Sequence, residues 1–322
     1  MGLFNRNEEI HRYKGVVLPF KLVNFMKYRK FAYAFSIILT SLCVVCMCVK
    51  GFNWGLDFTG GTVVQTQFSQ PANLEKVRTI LRDNRIEGAV VQTMGDAKNV
   101  MIRLPASAGN AKIGNRIQLM LTNLDPHIKI ESVAFVGPNV GKDLTDSAIY
   151  ATFATLLMLL VYIAVRFEWR LGAGAVIALA HDVIVTLGVF SFFQIEMDLT
   201  FVAAILSVVG YSLNDSIVVF DRVRENFRKI RRIDTVEIVN VSLTQTLART
   251  LMTSITTLFT VVALFLFGGP SIHSFSLALL VGIAFGTYST IYVAISIALD
   301  LGLKREHMLV QKVDKEAIEE LP

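Results

Sequence analysis

Charged side chains are scarce in this 322-residue chain: Asp, Glu, Lys and Arg together make up 18% of it, against about 25% in soluble globular domains. With 53% hydrophobic residues and a mean hydropathy of +0.54, that scarcity excludes a disordered chain and a purely soluble enzyme. Cysteine is nearly missing too. All three, Cys43, Cys46 and Cys48, fall in one apolar run, and the polar stretch from Asn53 to Asp146 has none. No second cluster of Cys or His follows their C-x-x-C-x-C spacing, so it cannot close a tetrahedral metal site and reads as small, soft residues packing in a helix. Neither of two Gly-rich segments ends in the Lys-Ser/Thr of a phosphate-binding loop. With no ATPase visible, any work the chain performs needs another energy source.

What is present in quantity is apolar sequence long enough to cross a hydrocarbon core about 30 Å thick. Six runs qualify: Phe31 to Val49, Ser147 to Val165, Leu171 to Phe193, Leu199 to Phe220, Leu247 to Phe267 and Phe275 to Leu301. The first is too long and too late, with no small-residue cleavage site, to be a cleaved signal peptide. Net charge is +5, and its placement explains it without nucleic acid. Lys and Arg crowd the segment before the first span, the turn after the second (Arg166, Arg170) and the loop after the fourth (Arg222 to Arg232), while the turns Gln194 to Asp198 and Gly268 to His273 have neither. Short basic segments stay in the cytoplasm, so both termini are expected there, and the loop Gly51 to Asp146 outside. The division is a terminal segment 1–30, a first helix 31–50, an external domain 51–146, five further helices over 147–301 and a tail 302–322.

Inside that loop the pattern turns alternating and amphipathic. Thr62 to Phe68, Gly88 to Met94, Val100 to Leu104 and Ile128 to Val136 read as strands; Pro71 to Asn84 and Ala111 to Leu124 read as helices. The order βαββαβ predicts a small α+β, ferredoxin-like domain set into an otherwise all-α membrane bundle of six transmembrane helices. No catalytic constellation is visible, and its one histidine, His127, follows Pro126 in a surface-like setting. Glycines bracket the domain at Gly55, Gly60 and Gly61 before the first strand and at Gly137 and Gly141 after the last, where hinge or tight-turn duty is expected.

Ionisable groups at bilayer depth cost about 2.5–3.5 kcal/mol each on insertion scales, so the few present are informative. The third span carries His181-Asp182, the fourth Asn214-Asp215 and the fifth Arg249. Asp215 lies about 9 Å outward of Asp221 along a helix. Arg249, expected in the first turn or two of the fifth span, could reach it. Thr246, Arg249, Thr250, Thr253, Ser254 and Thr257 recur at helical spacing as a polar stripe whose hydroxyls could carry a hydrogen-bonded path. Arg249 alone also fits snorkelling to the interface, and His181 fits a neutral packed histidine. Asp215 is too short to snorkel across two turns. Desolvation favours its neutral acid and the arginine favours its carboxylate, the balance a proton-loading site requires.

These residues carry a resemblance. The run Val209 to Glu225 (VGYSLNDSIVVFDRVRE) resembles the fourth-span signature of the SecF family of bacterial protein-export membrane proteins. GLDFTGG at Gly55 to Gly61, FVGPNVG at Phe135 to Gly141, His181-Asp182-Val183 and SLTQTLARTLMTS at Ser242 to Ser254 match in the family's order. The resemblance implies a periplasmic domain, and half of a transporter bundle of the resistance-nodulation-division type completed by the six-span partner SecD. It implies association with the SecYEG channel, YajC and the translocating preprotein in the bacterial plasma (inner) membrane. It also implies use of the proton-motive force, with protons as coupling ion and no other cofactor. Asp215 and Arg249 fall on the family's intramembrane aspartate and arginine; His181, Asp182, Asn214, Thr253 and Ser254 are expected to support them. No enzymatic activity is expected. Two other readings remain open: a half-size proton-coupled solute exporter, for which the external domain is small, and a purely structural subunit.

Overall fold

Long apolar runs fold as helices because, in hydrocarbon, every backbone N–H must bond within its own segment. The computed structural model describes residues 11–13, 16–18, 21–86, 88–94, 96–105, 113–230 and 233–308; the terminal segments, Gly95, Arg231, Arg232 and the start of the expected second domain helix fall outside them. An antiparallel hairpin of β1 (His11–Tyr13) and β2 (Val16–Leu18) precedes the first long helix, α1 (Arg29–Lys50). Next come the short strand β3 (Asn53–Trp54) and one-turn helix α2 (Leu56–Thr59).

The β-domain follows as β4 (Gly61–Gln67), α3 (Leu74–Asp83), β5 (Val90–Met94), β6 (Asp96–Leu104), α4 (Ile113–Leu121) and β7 (Lys129–Val136). Its four strands lie in the order β5-β6-β4-β7, every neighbouring pair antiparallel. β6 starts before the expected Val100 because Asn99 still pairs with Gln67 and Asp96 with Met94. Both helices pack on one sheet face: Val77 and Leu81 of α3 and Ile113, Ile117 and Leu121 of α4 close over Val64, Ile102 and Leu104. Asn73 caps α3, its side chain accepting from Lys76 N–H at 3.2 Å.

Asp125 fastens this domain from within. Buried in the connection between α4 and β7, it accepts from the amide and hydroxyl of Ser69 at 2.6 and 2.7 Å and from the His127 amide at 2.9 Å. His127 itself is exposed.

The remaining helices are α5 (Pro138–Arg166), α6 (Trp169–Phe193), α7 (Leu199–Lys229), α8 (Thr235–Phe267) and α9 (His273–Ser289), the two-residue strand β8 (Glu196–Met197) lying between α6 and α7. A π-helical turn, Thr290–Ala294, carries the sixth span from α9 into α10 (Ile295–Asp300). Several helices outrun their apolar cores. Pro138 starts α5 inside the segment read as a glycine loop, α7 absorbs most of the basic stretch after Phe220, and α8 begins well before Leu247. Charged residues extend these helices once they leave the apolar region, so apolar length under-reports helix length.

Burial sorts the six membrane-spanning helices. Half of the most apolar stretch is buried in α6 and in the sixth span, and 44% in α7, against 17% in α1 and α8 and 6% in α5. The inner helices approach closely: a Cβ on Gly174 of α6 would overlap the backbone carbonyl of Ala294 in the π-helical turn. Cys43 of α1 is buried against Gly188, Cys46 is half-buried and Cys48 exposed.

The three donors around Asp125 hold its carboxyl below the usual carboxylate range. A depressed folded-state pKa stabilises the fold above the unfolded value of about 3.9 and loses that stabilisation as pH falls through the folded value. Thermal melts of the full chain should therefore show Asp125→Ala destabilised at pH 7, with the deficit shrinking as pH falls through the acid range; a deficit of the same size at every pH would refute this.

Candidate functional site: the polar centre of the bundle

Asp182 sits where three inner helices meet, 1% exposed. Its Oδ2 accepts from Ser212 Oγ of α7 at 2.6 Å and from Ser289 Oγ of α9 at 2.8 Å. Oδ1 lies 3.0 Å from His181 Nδ1 on its own helix. Gly286 of α9 lies against this pair: a Cβ there would stand in ordinary contact with Oδ2, at 3.5 Å, and slightly tight against Ser212 Cβ, at 3.3 Å. One turn along α7, Ser216 Oγ meets Thr290 Oγ1 at 3.1 Å, at the first residue of the π-helical turn, a helix irregularity often found at functional sites. His181 packs near Tyr288, ring centroids 6.2 Å apart. The Tyr288 hydroxyl donates to the Ala32 carbonyl and meets Ser36 Oγ, bringing α1 to the same centre. His181 Nε2 is buried with no partner among the described residues.

Asp215 lies one turn beyond Ser212 on α7, 3% exposed, with Oδ2 buried and free of any hydrogen bond among the described residues. The expected contact with Arg249 is not made. Arg249 is exposed on α8 and acts on the carboxylate only through space. The reason is helix length. Asn226 Nδ2 ties α7 to α8 at Ser242 Oγ and Gln245 Oε1, both at 2.8 Å. Equal numbers of residues from that tie put Asp215 level with Ser254 and leave Arg249 about five residues, roughly 8 Å, nearer the connection between the helices. Arg249 is several turns into α8, not in its first or second.

The polar stripe of α8 divides in the same way. Thr246, Thr250 and Ser254 are buried, Thr257 is half-buried, and Arg249, Thr253 and Thr256 are exposed. Ser254 reaches across to Thr287 of α9 at 2.8 Å. Thr253, Thr256 and Thr257 instead donate to carbonyls one turn back on α8, a local arrangement that forms no path between helices. Asn214 is exposed, on the same face of α7 as Ala203, Ser207 and Gly210. These small or polar residues recur every three or four positions and make one bare face of α7.

The bracketing glycines build a clamp between the β-domain and the start of α7. β3 pairs in parallel with β8. Gly55 N–H donates to the Met197 carbonyl at 2.8 Å, and Asp57 Oδ2 accepts from Leu199 N–H, in the first turn of α7, at 2.9 Å. Gly60 ends α2 with φ 64°, a conformation only glycine adopts without strain, and Gly61 follows at 125°. Gly141, a turn into α5, lies against the Gly60 backbone, while Gly137 is the residue before that helix. Arg103 of β6 completes the clamp, pairing with Glu196 at 2.6 Å and donating to the Trp54 carbonyl at 2.6 Å. Sequence reasoning missed Asp57, Arg103, Glu196, Ser212, Ser289 and Thr290. Of these Glu196 left a signal, as a carboxylate in a turn without Lys or Arg.

With this geometry in hand, known proteins are informative. The model of the C-terminal region of protein export membrane proteins SecD/SecF matches residues 116–304, and the SecD/SecF GG motif matches residues 47–72. The chain is 62% identical to the protein translocase subunit SecF of Haemophilus influenzae over the full length of both. It is 51% identical to that of Vibrio alginolyticus over 93% of this chain and 96% of the relative, and 50% identical to that of Escherichia coli O157:H7 over 93% and 94%. Among solved structures it resembles SecDF, a translocon-associated membrane protein from Thermus thermophilus, with TM-score 0.80 and 34% identity over 87% of this chain. The super-membrane-facing form of SecDF gives TM-score 0.66 at 34% identity over 93%. The chain spans 39% and 40% of the length of those two SecDF chains.

The Asp182 centre has a measurable energetic signature. Ser212→Ala and Ser289→Ala each remove a donor from a buried carboxyl oxygen, and each should cost about 1–3 kcal/mol of stability. Ser207→Ala, on the bare face of the same helix, should change stability by less than about 0.5 kcal/mol. Reversible unfolding in lipid discs checks the contrast; equal effects at Ser207 and Ser212 would dismiss it.

Proposed function

The chain belongs to the SecF branch of the SecD/SecF family of protein export membrane proteins, and on that premise we propose that it uses the proton-motive force, together with SecD, to promote preprotein translocation and release. Its setting in this reading is the bacterial plasma membrane. Both termini are cytoplasmic, and the βαββαβ domain, whose strand order supports a ferredoxin-like fold, is periplasmic. SecYEG, YajC and the emerging preprotein are the remaining partners.

The observation that carries this reading is Asp215: a buried carboxyl with an unsatisfied oxygen, beside a helix face that the chain does not cover. Hydrocarbon is a poor neighbour for Ser207, Asn214, Arg249 and Thr253, all exposed. Small residues at such spacing suit close packing of another membrane helix. A second six-span subunit seated there brings Arg249 and Asp215 into one dry interface. That partner fits the 39% share of SecDF that this chain spans. Protonation of Asp215 then removes a charge from the interface and changes how α7 packs against its neighbours. The motion reaches the β-domain through Asp57, which caps α7, and Arg103, which holds Glu196. No observation favours the solute-exporter reading, and the relatives described above are translocase subunits by name.

Two experiments test the proposal. In inverted membrane vesicles, Asp215→Asn and Arg249→Met should each abolish the part of preprotein export that an uncoupler abolishes in wild type, leaving the ATP-driven part; uncoupler-sensitive export retained by Asp215→Asn would end the proton-site reading. Gly210→Leu, on the bare face of α7, should lose most of the co-purifying SecD while the chain itself still folds. SecD recovered undiminished would move the interface elsewhere.

A further inference from the structure

At the end of the bundle opposite the β-domain, α7 runs on past the end of α5. There Arg166, Asp221, Arg224, Glu225, Arg228 and Lys229 line a cavity of about 380 Å³. Four of these six are cations. Arg166 holds both oxygens of Asp221, at 2.7 and 2.9 Å, and Glu225 takes Lys229 at 2.5 Å and Arg222 at 2.8 Å. Asp221 is matched by Arg166 and Glu225 by Lys229 and Arg222, and cations outnumber carboxylates in the lining. None of these groups belongs to the polar centre around Asp182 and Asp215.

An apolar track leads into the cavity. Met158, Tyr162 and Arg166 stand one turn apart on a single face of α5, and Met158, Tyr162 and the adjoining Val165 are 72%, 43% and 84% exposed. Just beyond lies Trp169, 60% exposed, with the Arg170 guanidinium 4.7 Å from its ring centroid. An exposed tryptophan beside arginine at a helix end marks the membrane interface, so the cavity lies at headgroup depth and the track descends into the acyl region. A soluble anion would use the cations and leave the track bare. A phospholipid uses both.

We propose that this cavity binds an anionic phospholipid, its phosphate held among Arg166, Arg224 and Lys229 and one acyl chain lying along Met158, Tyr162 and Val165. Basic pockets beside membrane helices recognise acidic headgroups through the same charge and depth, each Lys or Arg contributing about a fivefold gain in affinity. Arg166 is fixed by Asp221, so its guanidinium is already oriented before the lipid arrives.

The test is native mass spectrometry of the full chain in mild detergent, titrated with phosphatidylglycerol, phosphatidylcholine or inorganic phosphate. Phosphatidylglycerol should be retained in preference to phosphatidylcholine. Arg224→Gln/Lys229→Gln should weaken phosphatidylglycerol about 25-fold and leave phosphatidylcholine unchanged, Arg224→Gln alone about fivefold, and Arg224→Lys should keep most of the binding. The single variant gives the same reading where the double variant does not fold. Equal retention of the two lipids, or wild-type phosphatidylglycerol binding in Arg224→Gln, would overturn the proposal. So would displacement of phosphatidylglycerol by millimolar phosphate, which would mark a site for soluble anions.

Discussion

One carboxyl group ties the inner bundle together. Asp182 is buried among the inner helices, where an oxygen without donors is costly, and its donors come from α7 and α9. Those two helices are thereby held to α6 at a fixed height and rotation. The π-helical turn begins just after Ser289, and Gly174 lets that turn come within backbone contact of α6. Asp215, one turn from Ser212, takes its position from this arrangement. The two aspartates thus differ in their surroundings: Asp182 is supplied with donors from two helices, while Asp215 Oδ2 has none among the described residues.

The outer helices show the complementary condition. α1, α5 and α8 cover little of one another, and the face of α7 carrying Ser207, Gly210 and Asn214 is open. Lipid suits the apolar surface of α5 but not the exposed polar residues of α7 and α8. The surface therefore divides into a part that is apolar and a part, on α7 and α8, that exposes polar and small residues. Arg249 belongs to the second part.

Much of this was legible in the amino-acid order. Apolar runs located the six helices, and alternation located the strands of the β-domain, because periods of 2 and 3.6 leave different marks. The rarity of charge in apolar sequence singled out His181, Asp182, Asp215 and Arg249 before any contact was known. Which way a side chain faces was harder. Asn214 and Asp215 are neighbours in sequence but about 100° apart around a helix, and no periodicity says which of two polar neighbours turns inward. Arg249 was misplaced in height because α8 starts in polar sequence at Thr235. Ser212 and Ser289 gave no warning, since serine in a membrane helix usually bonds its own backbone. Asp57, Arg103 and Glu196 meet only through tertiary structure, across more than 100 residues of chain in the case of Asp57 and Leu199.

That last contact has a consequence for how the molecule is made. α7 is completed at its first turn by a residue that leaves the ribosome about 140 residues earlier, and a capping interaction of this kind is worth about 1 kcal/mol. α7 also carries its own cap, Asp198, whose Oδ1 accepts from Phe201 N–H at 2.8 Å, so the Asp57 contact adds to a helix start that the local sequence already closes. The clamp therefore couples the start of α7 to the glycine segment, because the bonds from Asp57 and Gly55 form only in molecules where that segment has docked.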